Sequence, residues 1–167
     1  CMAASGYARY EISNFARTGF ESRHNTGYWR NGEYIGLGTA AHSHIRVRSG
    51  ASAPGGGIRS WNTPLVGEYI DAVRRGDLPV IGRETRTAHE EARDALMVGL
   101  RMSVGVDLGV LSQEYGVDLV GEYAERFQRL ALRGLVEVVD SAPDRGPRIR
   151  LAPGAFLLAN RVFVECV

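Results

Sequence analysis

Cysteine is scarce: the 167 residues hold two, Cys1 and Cys166, one at each end of the chain. That placement excludes a disulfide framework and a cysteine-built metal cluster, and it is the usage of a reducing compartment. An excess of charge of either sign is missing too. Twenty Lys and Arg against 19 Asp and Glu leave a net charge of +1, so the chain as a whole has no general pull toward nucleic acid or anionic lipid. No apolar run approaches the roughly 20 residues of a membrane span, and no secretory signal pattern opens the chain. A cytoplasmic protein without an integral membrane segment is expected. What remains is globular: 44% hydrophobic and 23% charged residues, enough to build one domain or two small ones.

The pattern along the chain predicts an α/β N-terminal part. Tyr7 to Phe15 is rich in aromatic and β-branched residues and reads as a strand. Residues 16–32, with Gly19, Gly27 and Gly32 and no sustained period, read as a long loop. Glu33 to Gly38 reads as a short apolar strand ending in the small-residue turn Thr39-Ala40-Ala41. The stretch "HSHIRVR" (42–48) alternates polar and apolar, the sign of a half-buried strand. "SGASAPGGG" (49–57) is a break, and Ile58–Trp61 its return strand. A helix is expected from near Pro64 to Arg75, stopped by Gly76.

From Thr85 onward the prediction is three helices, a hairpin and a terminal helix. Thr85 or Thr87 caps the first, which runs to Met102 with an apolar stripe of Ala88, Ala92, Ala95, Leu96, Gly99 and Leu100. The next helices are expected at about Leu108–Tyr115 and Leu119–Arg133, the strands at Leu135–Val139 and Arg148–Leu151 around the turn "SAPDRGP", and the last helix from Pro153 to the end. That is the order of a winged-helix domain. Winged-helix proteins that bind DNA concentrate positive charge on the third helix and the wing. Here Asp118, Glu122 and Glu125 cancel Arg126, Arg129 and Arg133, and Asp144 accompanies Arg145, Arg148 and Arg150. Spacing pairs Glu122 with Arg126 and Glu125 with Arg129, and a docking or structural role is expected rather than nucleic-acid binding.

The chemistry-bearing residues cluster early. "RHNTGYW" (23–29) places His24, Asn25, Tyr28 and Trp29 together. An imidazole with an amide to orient its second nitrogen and aromatic walls suits a planar ligand such as a porphyrin. The alternative is that Tyr28 and Trp29 plug a sheet while His24 bonds backbone, and residue types alone favour that alternative. His42 and His44 share one strand face, but no third ligand stands near, which argues against zinc. His89 is expected in solvent. Gly36-Leu37-Gly38-Thr39-Ala40-Ala41 lets backbone approach a ligand closely, without the third glycine or the following helix of a dinucleotide site.

Taken in order, these blocks resemble a known family. Tyr10-Glu11-Ile12-Ser13-Asn14-Phe15-Ala16, the pattern H-N-x-x-Y-W at 24–29, and Gly36-Leu37-Gly38 followed by Ala41-His42-Ser43 resemble the oxygen-independent coproporphyrinogen III oxidase-like radical SAM proteins, in their haem chaperone branch. "LMVGLRMSVGVDL" (96–108), "RGL" (133–135) and the terminal helix resemble that family's C-terminal domain. The resemblance implies the last strands of a partial (β/α) radical SAM barrel over residues 1–62, a linker helix and connection over 63–84, and a mainly α, winged-helix-like domain over 85–167.

It further implies that His24 contacts haem, with Asn25, Tyr28 and Trp29 around it, and that Gly38, Thr39, Ala40 and Ala41 lie against S-adenosylmethionine. The family's C-x3-C-x2-C cluster motif is absent from this sequence. The resemblance therefore implies a C-terminal part of a longer protein whose [4Fe-4S] cluster lies elsewhere, inactive as an enzyme alone. Thr18 stands where the family usually has proline, and Thr39-Ala40 where Ala-Gly is more common. The expected function is delivery of haem to acceptor proteins. The alternatives are oxidative decarboxylation of coproporphyrinogen III and a non-catalytic interaction module.

Overall fold

The computed structural model describes residues 2–47, 55–139 and 145–166. Residues 49–54 of the expected break at 49–57, residues 141–144 of the expected turn at 141–147, Asp144 among them, and Cys1 lie outside the described residues. The chain divides into two compact units, Gly32–Glu91 and the pair of segments Cys1–Asn31 and Ala92–Val167. No helix among the described residues is long and apolar enough to cross a membrane.

The unit Gly32–Glu91 is a three-stranded antiparallel sheet, β3 (His42–Arg46), β4 (Gly57–Asn62) and β5 (Val80–Arg86), with helix α2 (Val66–Arg75) between β4 and β5 in sequence. His42 pairs with Trp61 and Arg46 with Gly57, and β4 continues onto β5 with a register shift at Trp61/Asn62. Strand β5 corrects the expectation of a plain connection over 76–84. "VIGRETR" carries no clean alternation of its own, and its pairing with β4 makes it a strand. The strand expected at 33–38 reduces to one bridge, Tyr34 with His44. Gly36 lies so close to the His42 backbone that a Cβ there would stand 2.1 Å from its carbonyl oxygen. Gly38, at φ 109°, then turns the chain.

In the other unit, β1 (Ala8–Arg9) and β2 (Phe15–Ala16) form a short hairpin, not the single strand expected over Tyr7–Phe15. The reason is Glu11. Its buried carboxylate accepts hydrogen bonds from the Ser13 N–H (2.8 Å) and the Asn14 amide (2.7 Å), folding the middle of that run into a turn.

Helix α3 (Ala88–Gly99) opens on a capping box: Thr87 Oγ1 accepts from the Glu90 N–H, and the Glu90 carboxylate accepts from the Thr87 N–H at 2.8 Å. Helices α4 (Leu108–Tyr115) and α5 (Leu119–Leu132) follow, close to their expected ranges. Asp118 caps α5 by accepting from the Gly121 N–H. The α5 stripe Leu119, Tyr123, Phe127 and Leu130 is buried against Leu96, Leu100, Ile149 and Leu151, each side chain contributing about 1.5–3 kcal/mol. Strands β7 (Val136–Val139) and β8 (Arg148–Leu151) pair as expected, and a two-residue strand β6 (Val106–Asp107) adds to β8. The expected terminal helix is broken: a 3-10 turn, α6 (Asn160–Phe163), and a second 3-10 turn ending at Cys166.

The arginines of this unit are engaged differently from the spacing argument. Arg126 donates to the Glu165 carbonyl at 2.9 Å and Arg129 stands 3.9 Å from the Glu165 carboxylate, because the terminal segment supplies those partners. Arg148 grips Asp107 through two hydrogen bonds of 3.0 and 2.9 Å, and Arg150 binds Glu137 at 2.7 Å.

Candidate functional site

Residues 23–29 are not loop but helix α1, Arg23–Trp29, and this overturns the expectation for 16–32. His, Asn, Thr, Gly, Tyr and Trp are all modest or poor helix formers, so composition hides the helix. Ser22 starts it by accepting a hydrogen bond from the Asn25 N–H at 3.2 Å.

At about 100° per residue the short helix has distinct faces. His24 and Tyr28, four residues apart, share one of them: both are exposed, and their rings meet edge to face at 4.8 Å. Among the described residues no hydrogen bond engages the ring nitrogens of His24. Asn25 and Trp29 share another. The Asn25 amide donates to the Tyr10 hydroxyl at 3.4 Å, so it does not orient the His24 ring as expected: neighbours in a helix face apart. Trp29 stacks on Arg101, whose guanidinium carbon lies 4.3 Å from the indole centroid. The four residues expected together in a loop thus stand on one helix, which separates Asn25 and Trp29 from His24 and Tyr28. Sequence reading missed Tyr10 and Arg101, which only the fold brings to α1.

The small-residue turn belongs to the unit Gly32–Glu91 and is held rigidly. The Gly38 N–H donates to the Tyr69 hydroxyl (3.0 Å), and the Ala40 N–H to the Thr63 carbonyl (2.9 Å). The amide of Asn62, a buried residue, donates to the carbonyls of Gly36 (3.3 Å) and Gly38 (2.9 Å). Thr39 and Ala40 stay exposed at the crest. Ala40 adopts φ 55°, a left-handed conformation that suits glycine. Tyr69, Asn62 and Thr63 carry no motif that sequence reasoning could have used.

The pair His42 and His44 separates. His42 is exposed beside the Trp61 ring, whereas His44 is buried between two acceptors, the Gly32 carbonyl (3.2 Å from Nδ1) and the Glu91 carboxylate (2.9 Å from Nε2). Oxygens facing both ring nitrogens favour the protonated ring, which donates two N–H groups, over the neutral one. The Glu91 hydrogen bond raises the His44 pKa above 6.5, against the opposing effect of burial. A protonated imidazole is no metal ligand, and among the described residues no cluster of three His, Cys, Asp or Glu side chains gathers. His89 is exposed, as expected.

Comparison with known proteins meets this geometry. Residues 87–142 match the family described as the HemN C-terminal domain. The Heme chaperone HemW of Bacillus subtilis is 35% identical over 162 residues, 97% of this chain and 38% of that protein. The Heme chaperone HemW of Mycobacterium tuberculosis is 34% identical over 161 residues, 96% of this chain and 35% of that protein. The chain belongs to the HemN and HemW family. It spans 38% and 35% of the lengths of these two relatives. Among solved structures, the coproporphyrinogen III oxidase HemN of Escherichia coli, a radical SAM enzyme, superposes with a TM-score of 0.66 over 99% of this chain and 38% of that one, at 18% identity. The chain therefore has a mixed α/β, HemN-like fold.

Proposed function

We propose that the chain is the haem-binding C-terminal part of a protein that passes haem to acceptor proteins, with His24 as the iron ligand and Tyr28 as the wall beside it. The observation that carries this reading is the exposed His24 ring, braced edge-on by Tyr28 at 4.8 Å, with no hydrogen bond to its nitrogens among the described residues. A haem iron supplies a coordination position that accepts a neutral imidazole nitrogen. Asn25 and Trp29, bound to Tyr10 and stacked on Arg101, anchor the helix that presents His24. The HemW relatives, at 34–35% identity over nearly all of this chain, favour haem delivery. The structural likeness to coproporphyrinogen III oxidase concerns the fold alone.

The same reading assigns residues 1–62 to the end of a partial (β/α) barrel, 63–84 to a connection and 85–167 to a winged-helix-like domain. The turn Gly38–Ala41 is the S-adenosylmethionine contact of the whole protein, with its crest at Thr39 and Ala40 open to a ligand. Two cysteines, at positions 1 and 166, are too few to hold a [4Fe-4S] cluster. Titration of the purified protein with haem, followed by its Soret band, tests the ligand role. His24→Ala is expected to weaken binding at least about ten-fold, the scale on which ligand-shell changes act, and unchanged affinity would remove His24 from the site.

A further inference from the structure

A cavity of about 610 Å³ opens along a third face of α1, formed by Arg23, Thr26, Gly27 and Arg30. These residues recur at i, i+3, i+4 and i+7, so they line one side of the helix, next to the face that carries His24 and Tyr28. Three arginines, Arg9, Arg23 and Arg30, and a single acidic residue, Glu21, are among the lining residues. Arg9 donates to the Ile12 carbonyl and lies 4.7 Å from the centroids of both the Phe15 and Phe156 rings, which fixes its charge in place without neutralising it. Among the described residues no ion pair or hydrogen bond engages the guanidinium groups of Arg23 and Arg30. Glu21 accepts a hydrogen bond from the Gly19 N–H at 3.2 Å. Ser103, also in the lining, holds its hydroxyl oxygen buried with no partner.

A cavity lined by three arginines and one glutamate carries a surplus of positive charge, which suits an anion. Planar guanidinium groups recognise the matching planar fork of a carboxylate. We propose that this cavity receives the rim carboxylates of the porphyrin whose iron His24 holds. The proposal rests on the haem reading above and deepens it. His24 takes the centre of the ligand on one face of α1, and the arginines take its charged edge on the next. A flat dianion reaching both faces would be gripped in one orientation.

Haem and its dimethyl ester, which keeps the ring and iron but masks both carboxylates, separate the two halves of the site. The purified protein is expected to bind haem at least ten-fold more tightly than the ester. The double variant Arg23→Gln/Arg30→Gln should lose that preference by weakening haem alone, while Arg23→Lys/Arg30→Lys keeps most of it. His24→Ala should weaken haem and ester alike, so failure of the iron-ligand reading shows in that variant and not in the acid-to-ester ratio. Equal binding of haem and ester by the unmodified protein overturns the proposal, as does a Gln variant that weakens both ligands equally. Thermal stabilisation by inorganic phosphate that the Gln variant abolishes, with haem and ester still bound equally, reassigns the cavity to a separate anion. Absence of binding by either porphyrin removes both readings.

Discussion

Replacing Glu91 by Gln isolates the charge of the buried His44–Glu91 pair while keeping its shape. The two side chains are 2% and 0% exposed and 2.9 Å apart, so salt and water screen them little. A hydrogen bond to a charged group contributes about 1.5–3 kcal/mol, and the amide's similar volume keeps any cavity contribution small. The His44 pKa is raised in the folded state, first by the Glu91 hydrogen bond, with burial and the facing Arg59 working against it. A raised histidine pKa stabilises fully below the unfolded value of about 6.5 and loses that stabilisation as pH climbs through the folded value. Glu91→Gln is therefore expected to cost about 2 kcal/mol at about pH 6 and clearly less at about pH 9. Urea unfolding of both proteins at the two pH values, followed by circular dichroism, measures this. An equal cost at both, or a larger one at the alkaline end, refutes the buried ion pair.

Two further outcomes follow from named geometry. Ala40 holds φ 55°; relief of about 1–2 kcal/mol of left-handed strain outweighs the 0.5–1 kcal/mol of extra glycine freedom, so Ala40→Gly should gain roughly 0.5–1 kcal/mol. Thermal unfolding reads that gain, and a lowered midpoint would mean that the Ala40 methyl makes a contact the turn requires. Burial pushes the Cys166 thiol up to about 12, and the residue is 1% exposed. Maleimide labelling at Cys166, followed by mass spectrometry, should therefore be absent in the native protein and complete in denaturant, and prompt native labelling would contradict the packing of the terminal segment.

Much of the second half of the chain was legible because its signals are local. Helices α4 and α5 and the hairpin β7–β8 carry strong periodicity bounded by Asp118, Gly116 and Gly134, and each lies within a residue or so of its expected range. Thr87 with Glu90 was readable as a cap from their spacing. Helix α1 was illegible because its residues have little helix propensity and its stability comes from Ser22, Tyr10 and Arg101. Strand β5 was illegible because an edge strand of weak pattern exists only through its partner. The turn across Glu11 was hidden by the β-like composition around a carboxylate that folds the run on itself.

By itself, then, the order of residues determined the family and the helical C-terminal core, and it drew attention to His24, since motif and period are properties of a linear string. Tertiary structure decided which neighbours act together. It set His24 with Tyr28 and apart from Asn25 and Trp29, and it buried His44 against Glu91 while leaving His42 exposed. It also drew Arg9 and Ser103 from distant parts of the chain to Arg23 and Arg30. Charge, burial and hydrogen-bond partners depend on distance in space, and residues far apart in sequence acquire that distance only when the chain folds.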